Sequence, residues 1–188
     1  MKVGGDRGQQ KDSAWTATAV VVMGVTGCGK SAVGTALAKA LNVRYIEGDK
    51  LHPPENVARM ARSEPLTDAL REGWLQAVGE RVHAAIERGE GAVAACSALK
   101  RIYRDKLRAS EPGIAFIYLA ISPEAARKRV ARRRGHFMPA SLVDSQFAAL
   151  EPPDADENAL SISAEKPIAE IVEAARAFLA SRQTQPAQ

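Results

Sequence analysis

The octad Gly24-Val25-Thr26-Gly27-Cys28-Gly29-Lys30-Ser31 satisfies G-x-x-x-x-G-K-[ST] at every fixed position. Its chemistry is phosphate binding. Backbone N–H groups of such a turn, helped by the dipole of the helix that follows, attract phosphate oxygens. Lys30 reaches the β- and γ-phosphates, and the Ser31 hydroxyl ligates Mg²⁺. An ordinary glycine-rich turn gives no reason for a Lys-Ser pair at a helix start. The octad therefore predicts a nucleoside triphosphate as ligand.

Two further groups of residues suit the same chemistry. Asp49 is a carboxylate just beyond a short apolar run, where it faces a γ-phosphate. Arg127-Lys128-Arg129 and Arg132-Arg133-Arg134 place six cations in eight residues. Such a run serves as a solvated helix face, a nucleic-acid patch or a phosphate-gripping lid. Guanidinium forks match phosphate oxygens, which favours the lid in a chain that carries a phosphate loop. No aromatics interleave with the arginines to stack bases, so no nucleic-acid partner is expected. Phosphoryl transfer needs positioning and charge neutralisation more than covalent chemistry. A closing lid also excludes water as a competing acceptor. The chain is small, with little room for switch or coupling elements, and this favours a small-molecule kinase over a GTPase or motor.

Composition agrees with a single globular unit. At 188 residues the chain is long enough to bury about 70% of its unfolded surface. The two cysteines, Cys28 and Cys96, have no disulfide or metal-ligand spacing and suit a reducing, cytoplasmic setting. No apolar run approaches the ~18 residues of a membrane span, and the N-terminus lacks the apolar stretch of a signal peptide. Residues 1–16 read as a disordered extension and 182–188 as a disordered tail. Residues 17–181 read as the kinase domain, with the lid near 127–139.

The elements that must position these groups alternate. Strands are expected near 18–23, 44–47, 91–96, 114–119 and 160–163. Helices are expected over 30–41, from Pro53-Pro54 to about 62, 67–88, 100–109, from 122 to Gly135, 140–150 and 167–180. Thr67 or Asp68 caps the long helix; Ser122 caps another, with Pro123 at its first position. The pattern predicts an α/β three-layer sandwich of the P-loop NTPase type. Five parallel strands carry helices on both faces, with ligands at the carboxyl ends of the strands and an arginine-rich lid. By position, residues 163–167 are where a base would be bound.

Beyond the octad, several stretches resemble the small gluconokinases, relatives of shikimate kinase. They are Gly48-Asp49-Lys50-Leu51-His52-Pro53 with Asn56, and Glu64-Pro65-Leu66-Thr67-Asp68 with Arg71 and Trp74-Leu75. Cys96-Ser97-Ala98-Leu99-Lys100 with Tyr103-Arg104, Gly135-His136-Phe137-Met138, Gln146-Phe147 and Leu150-Glu151-Pro152 complete the set. The resemblance spans nearly the whole chain between its tails. It implies transfer of the ATP γ-phosphate to the 6-hydroxyl of D-gluconate with Mg²⁺, in a homodimer.

The roles that follow are these. Lys30, Asp49 and Arg133 are the catalytic set, with Asp49 accepting the hydroxyl proton. The octad and Arg129 hold the nucleotide, and Ser31 and Asp49 the metal. The acceptor is expected to meet Asp49, His52, Asn56, Arg71, Ser97, Lys100, Arg104 and His136. His52 serves equally as a helix-entry residue, Arg71 as an exposed helical arginine, and Trp74 as core packing or a wall of the sugar site. Lys100 and Arg104, one turn apart, are expected to point the same way. Three positions depart from the family pattern. Leu70 stands for Asp, Gly73 for Pro, and Glu47 for the first acid of an Asp-x-Asp pair. Another small-molecule kinase, or a nucleotide-binding protein that has lost transfer, is the alternative these departures keep open.

Overall fold

A computed structural model describes residues 15, 17–132 and 141–183. The expected lid residues Arg133 and His136, with most of both expected tails, lie outside the described residues.

Strand β1, Ala19–Met23, is buried at all five positions. Strands β2 (Arg44–Glu47), β3 (Ala92–Ala95), β4 (Ala115–Ala120) and β5 (Ala159–Ser163) complete a parallel sheet in the order β2-β3-β1-β4-β5. A parallel sheet is covered on both faces, which is why β1 reads as an unbroken apolar run and not an alternating one. Val20 and Val22 face the cluster built by helix α1 (Lys30–Leu41) and helix α7 (Ile168–Gln183). Val21 and Met23 face the opposite cluster, built by helix α3 (Asp68–Glu87) and helix α4 (Arg101–Ser110). Full burial of each such side chain contributes about 1.5–3 kcal/mol.

The remaining helices are α2 (Pro54–Ala61), α5 (Pro123–Ala131) and α6 (Ser141–Ala149). Two expected caps form as their residue types dictate. The Thr67 hydroxyl accepts from the Leu70 N–H at the start of α3, and Ser122 accepts from the Ala125 N–H at the start of α5. Helix α7 runs two residues past the expected end of the domain, and Trp15 packs on the core before its expected start. A 3₁₀ turn at Gly48–Leu51 was not expected from the sequence, and it carries Asp49.

The topology positions the chemistry. β1, β3 and β2 are neighbours, with Val22 and Glu47 both in register with Ala95. Their carboxyl ends therefore deliver the glycine-rich loop, Ser97 and Asp49 to one edge of the sheet.

Candidate active site

The loop between β1 and α1 adopts backbone angles that its glycines permit. Gly29, immediately before α1, has φ +102°, a left-handed region that a side chain would strain. From this turn Lys30 swings back, its Nζ donating to the carbonyls of Gly24 (3.0 Å) and Val25 (3.1 Å). The Gly24 N–H donates to the carbonyl of Ser97, tying the loop to the end of β3.

Asp49 arrives by a close approach. A Cβ on Gly48 would lie 2.3 Å from the carbonyl oxygen of Ala95, so only glycine lets the 3₁₀ turn pack against β3. The indole Nε1 of buried Trp74 donates to the Gly48 carbonyl at 2.8 Å, pinning the turn from α3. Trp74 thus serves as core and support together, because His52 stacks on its other side at 4.1 Å between ring centroids.

One cavity gathers the loop residues Thr26, Gly27, Gly29, Lys30 and Ser31 with Asp49, His52, Arg71 and Ser97. Met60, Pro65 and Leu66 form its apolar end, and Ser145 and Gln146 from α6 close it. A second groove lies on the other side of the same loop. It is lined by Cys28, Ala32 and Val33, by Arg129 and Arg132, and by Ala164, Lys166, Ile168 and Ile171. Arg129 spans the two banks, donating to the carbonyls of Cys28 (3.4 Å) and Ala164 (2.9 Å). The segment expected by position to meet a base, 163–167, lies at this groove through Ala164 and Lys166. The phosphate loop therefore borders both compartments.

The structure brings eleven of the expected residues to these compartments: Thr26, Lys30, Ser31, Asp49, His52, Arg71 and Ser97 to the first, Cys28 and Arg129 to the second, and Gly27 and Gly29 to both. Three expected acceptor residues go elsewhere. Arg104 is a correction: it is 1% exposed and turned away from the cavity. Its Nε and Nη2 bond both carboxylate oxygens of buried Glu157 (2.6 and 2.7 Å), and its Nη1 bonds backbone carbonyls. A fully desolvated guanidinium must be paired, and Glu157 pairs it. Lys100 ends in an ion pair with Asp68 at 2.9 Å instead of lining the cavity, and the Tyr103 hydroxyl bonds the same carboxylate. Helix α4 starts only at Arg101, so Lys100 and Arg104 do not share a helical face. Asn56 is buried behind the cavity, its Nδ2 donating to the Leu70 carbonyl and so joining α2 to α3.

The departures from the family pattern have local explanations. Leu70 packs on buried Met60 and Leu66, so carbon surface stands where a carboxylate is usual. Glu47 accepts a hydrogen bond from the Tyr45 hydroxyl at 2.8 Å, a use for its extra methylene. Gly73 lies on an exposed stretch of α3 where a Cβ would meet nothing.

The residues missed at the level of sequence are on α6. Gln146 is buried, and its Oε1 accepts the backbone N–H of Thr26 at 2.7 Å, within the phosphate loop. Only the Gln146-Phe147 pair, one of the stretches that carry the family resemblance, marked this helix, and no local pattern says that it crosses 120 residues to reach the loop.

His52 has a consequence for stability. Burial first, and then the Arg71 charge, push its pKa down to about 4. The unfolded chain takes up this proton near pH 6.5, so the folded state loses stability as pH falls from about 6.5 to about 4. Urea unfolding at pH 7.5 and 4.5 measures it. His52→Phe, which keeps a ring on Trp74, is expected to lose less stability on acidification than the parent. An equal loss in both would exclude His52 as a contributor.

A phosphate loop at the β1 end, a carboxylate lining the same cavity as its lysine, and arginines on both compartments define a P-loop phosphotransferase. Residues 26–175 match the shikimate kinase family. A gluconokinase of Gluconobacter oxydans is 48% identical over 147 residues, which cover 78% of this chain and 83% of that protein. Among solved structures, a gluconokinase from Sinorhizobium meliloti superposes with a TM-score of 0.79 at 45% identity, over 90% of this chain and 99% of the other. An unliganded sugar kinase from a Janibacter species gives 0.83 at 40% identity, over 87% and 95%. The chain belongs to the gluconokinase family within these shikimate-kinase-like enzymes, and it is an ATP-dependent kinase acting on an alcohol.

Proposed function

We propose that the protein transfers the γ-phosphoryl group of ATP to the 6-hydroxyl of D-gluconate, with Asp49 as general base. The acceptor oxygen attacks the γ-phosphorus while its bond to the β,γ-bridging oxygen breaks. ADP departs, and the hydroxyl proton passes to the Asp49 carboxylate. The observation that carries the reading is the meeting of Lys30, Asp49, Arg71 and Ser97 around one cavity that opens on the phosphate loop.

On the donor side, the loop N–H groups and Lys30 hold the β- and γ-phosphates, and the groove beside Arg129 takes the nucleoside. Arg129 and Arg133 neutralise the charge that spreads over the transferring group. On the acceptor side, Arg71 pairs with the gluconate carboxylate, and His52 and Ser97 hydrogen-bond its hydroxyls. Because His52 stays neutral down to about pH 4, it offers one donor and one acceptor to a polyol throughout the physiological range.

Ser31 and Asp49 line the same cavity and supply hard oxygen donors, a set that suits Mg²⁺. Bound there, Mg²⁺ supplies charge neutralisation at the phosphates; Ser31 offers its hydroxyl and Asp49 a carboxylate, directly or through water. We place the enzyme in the cytoplasm, in keeping with its two free, buried cysteines. None of the described helices is long and apolar enough to cross a membrane. A homodimer accords with the prevalence of two-fold assemblies.

The test is ADP release from Mg-ATP with gluconate, other aldonates including deoxy acids, shikimate and AMP. Gluconate is expected to stimulate release most strongly. The apolar end formed by Met60, Pro65 and Leu66, with Leu70 packed on Met60 and Leu66, makes a deoxy acid the natural competitor. Stimulation by that acid alone would replace gluconate as the acceptor, and no stimulation by any acid would remove the transfer reaction.

A further inference from the structure

We infer that Arg104 and Glu157 form a buried clamp that sets the geometry of the acceptor side without touching the acceptor. The inference rests on the reading above, in which Ser97 faces the sugar acid.

Three segments converge on this one guanidinium. Its Nη1 donates to the carbonyls of Ala98 (3.1 Å) and Leu99 (3.3 Å), in the turn that follows β3. The same nitrogen donates to the carbonyl of Glu151 (3.0 Å), just beyond α6. Its other edge takes Glu157, which also accepts from Arg108 (3.1 Å) and from the Asp154 N–H (3.2 Å). Neither partner is open to solvent, with 1% and 0% of their side chains exposed. Burial raises the Glu157 pKa, but the bonds from Arg104, the Asp154 backbone and Arg108 more than offset it and hold the group ionised.

What the clamp holds is strained and functional. Ala98 has φ +42°, a left-handed conformation for a residue with a side chain. Its neighbour Ser97 lines the cavity, while the Ser97 carbonyl receives the Gly24 N–H of the phosphate loop. Leu99 in turn accepts the Glu151 N–H at 2.8 Å, so the turn and the end of α6 are tied twice. Helix α6 carries Gln146, which holds the Thr26 N–H. The guanidinium therefore fixes the distance between the Ser97 turn and the helix that closes the cavity from the other side. A planar fork suits this task and an ammonium does not, because one point charge cannot address three carbonyls and a carboxylate at these angles.

The experiment compares the parent with Arg104→Lys and with the double variant Arg104→Met/Glu157→Met. The double variant leaves no unpaired charge in the core and so avoids the main cause of unfolding. Thermal unfolding reports the fold, and steady-state kinetics report each KM. Both variants are expected to raise the gluconate KM at least tenfold while the ATP KM stays within about twofold. A double variant that folds and keeps the parental gluconate KM overturns the clamp. So does a parallel rise in both KM values tracking the loss of melting temperature. Failure of both variants to fold makes the pair a determinant of the fold and overturns the specific role. A parent that ignores gluconate sinks the proposed reaction itself. A gluconate-responsive parent beside unaffected variants sinks this inference alone.

Discussion

Asp49→Asn is expected to lower kcat for gluconate phosphorylation by about 10²–10⁴-fold, the usual contribution of a positioned general base. The ATP dissociation constant is expected to change little. The substitution is close to isosteric, and the backbone that presents it is held independently of its charge. Gly48 is packed against the Ala95 carbonyl, and its own carbonyl is bonded by Trp74. A loss in Asp49→Asn is therefore a loss of proton acceptance or charge, not of a misplaced turn. Steady-state turnover and an ATP titration separate the outcomes. Undiminished turnover would remove Asp49 as the base. Reduced turnover with strongly weakened Mg-ATP binding would make holding the metal its main role.

The donor side was legible in the sequence because its chemistry is local. Eight consecutive residues supply the loop, and the strand before and the helix after them follow from apolar spacing alone. Strand β2 and helix α1 fall where spacing puts them, and the caps at Thr67 and Ser122 follow from residue type. The acceptor side was legible only in part, because its geometry is made by contacts between distant segments. Lys100 and Arg104 look equivalent in sequence, both cationic and four apart. The difference is that α4 begins after Lys100, and that Glu157, more than fifty residues away, claims Arg104. No periodicity encodes that partner. The same holds for Gln146, whose bond to Thr26 depends on how α6 packs beside α5.

The altered segment around Leu70 shows the same division. Sequence comparison marks a lost carboxylate, but the consequence depends on what surrounds it. The side chain has joined Met60 and Leu66, while Arg71, the neighbouring cation, lies 5.7 Å over the Tyr103 ring. An arginine over an aromatic face keeps a favourable contact, and the Asp68 carboxylate, held below its usual range by the bonds from Tyr103 and Lys100 and also by the Arg71 charge, supplies a nearby acid. With leucine at position 70, Arg71 still lines the cavity, and Leu70 supports its apolar end through Met60 and Leu66.

Lys30→Met is expected to remove at least about 10²–10³-fold from kcat, the scale of one preorganised donor to developing charge, and to weaken ATP binding as well. The ammonium is fixed across its own loop by the Gly24 and Val25 carbonyls, so its position over the cavity is set before any ligand arrives. Methionine keeps the length and apolar stem but has neither charge nor donor. Lys30→Arg is expected to rescue little, because a planar fork does not reproduce a compact charge held between two carbonyls. The contrast with Asp49→Asn is the diagnostic part. In the proposed reaction the lysine serves ground-state phosphate and the transferring group alike, so both constants are expected to move, whereas the aspartate acts chiefly on the acceptor hydroxyl, so turnover is expected to move far more than ATP binding. In the double variant the two losses are expected to fall short of their sum, since each group contributes only when the other has aligned its reactant. Full additivity would mean that donor and acceptor are positioned independently. That outcome would count against the single cavity that Lys30 and Asp49 both line.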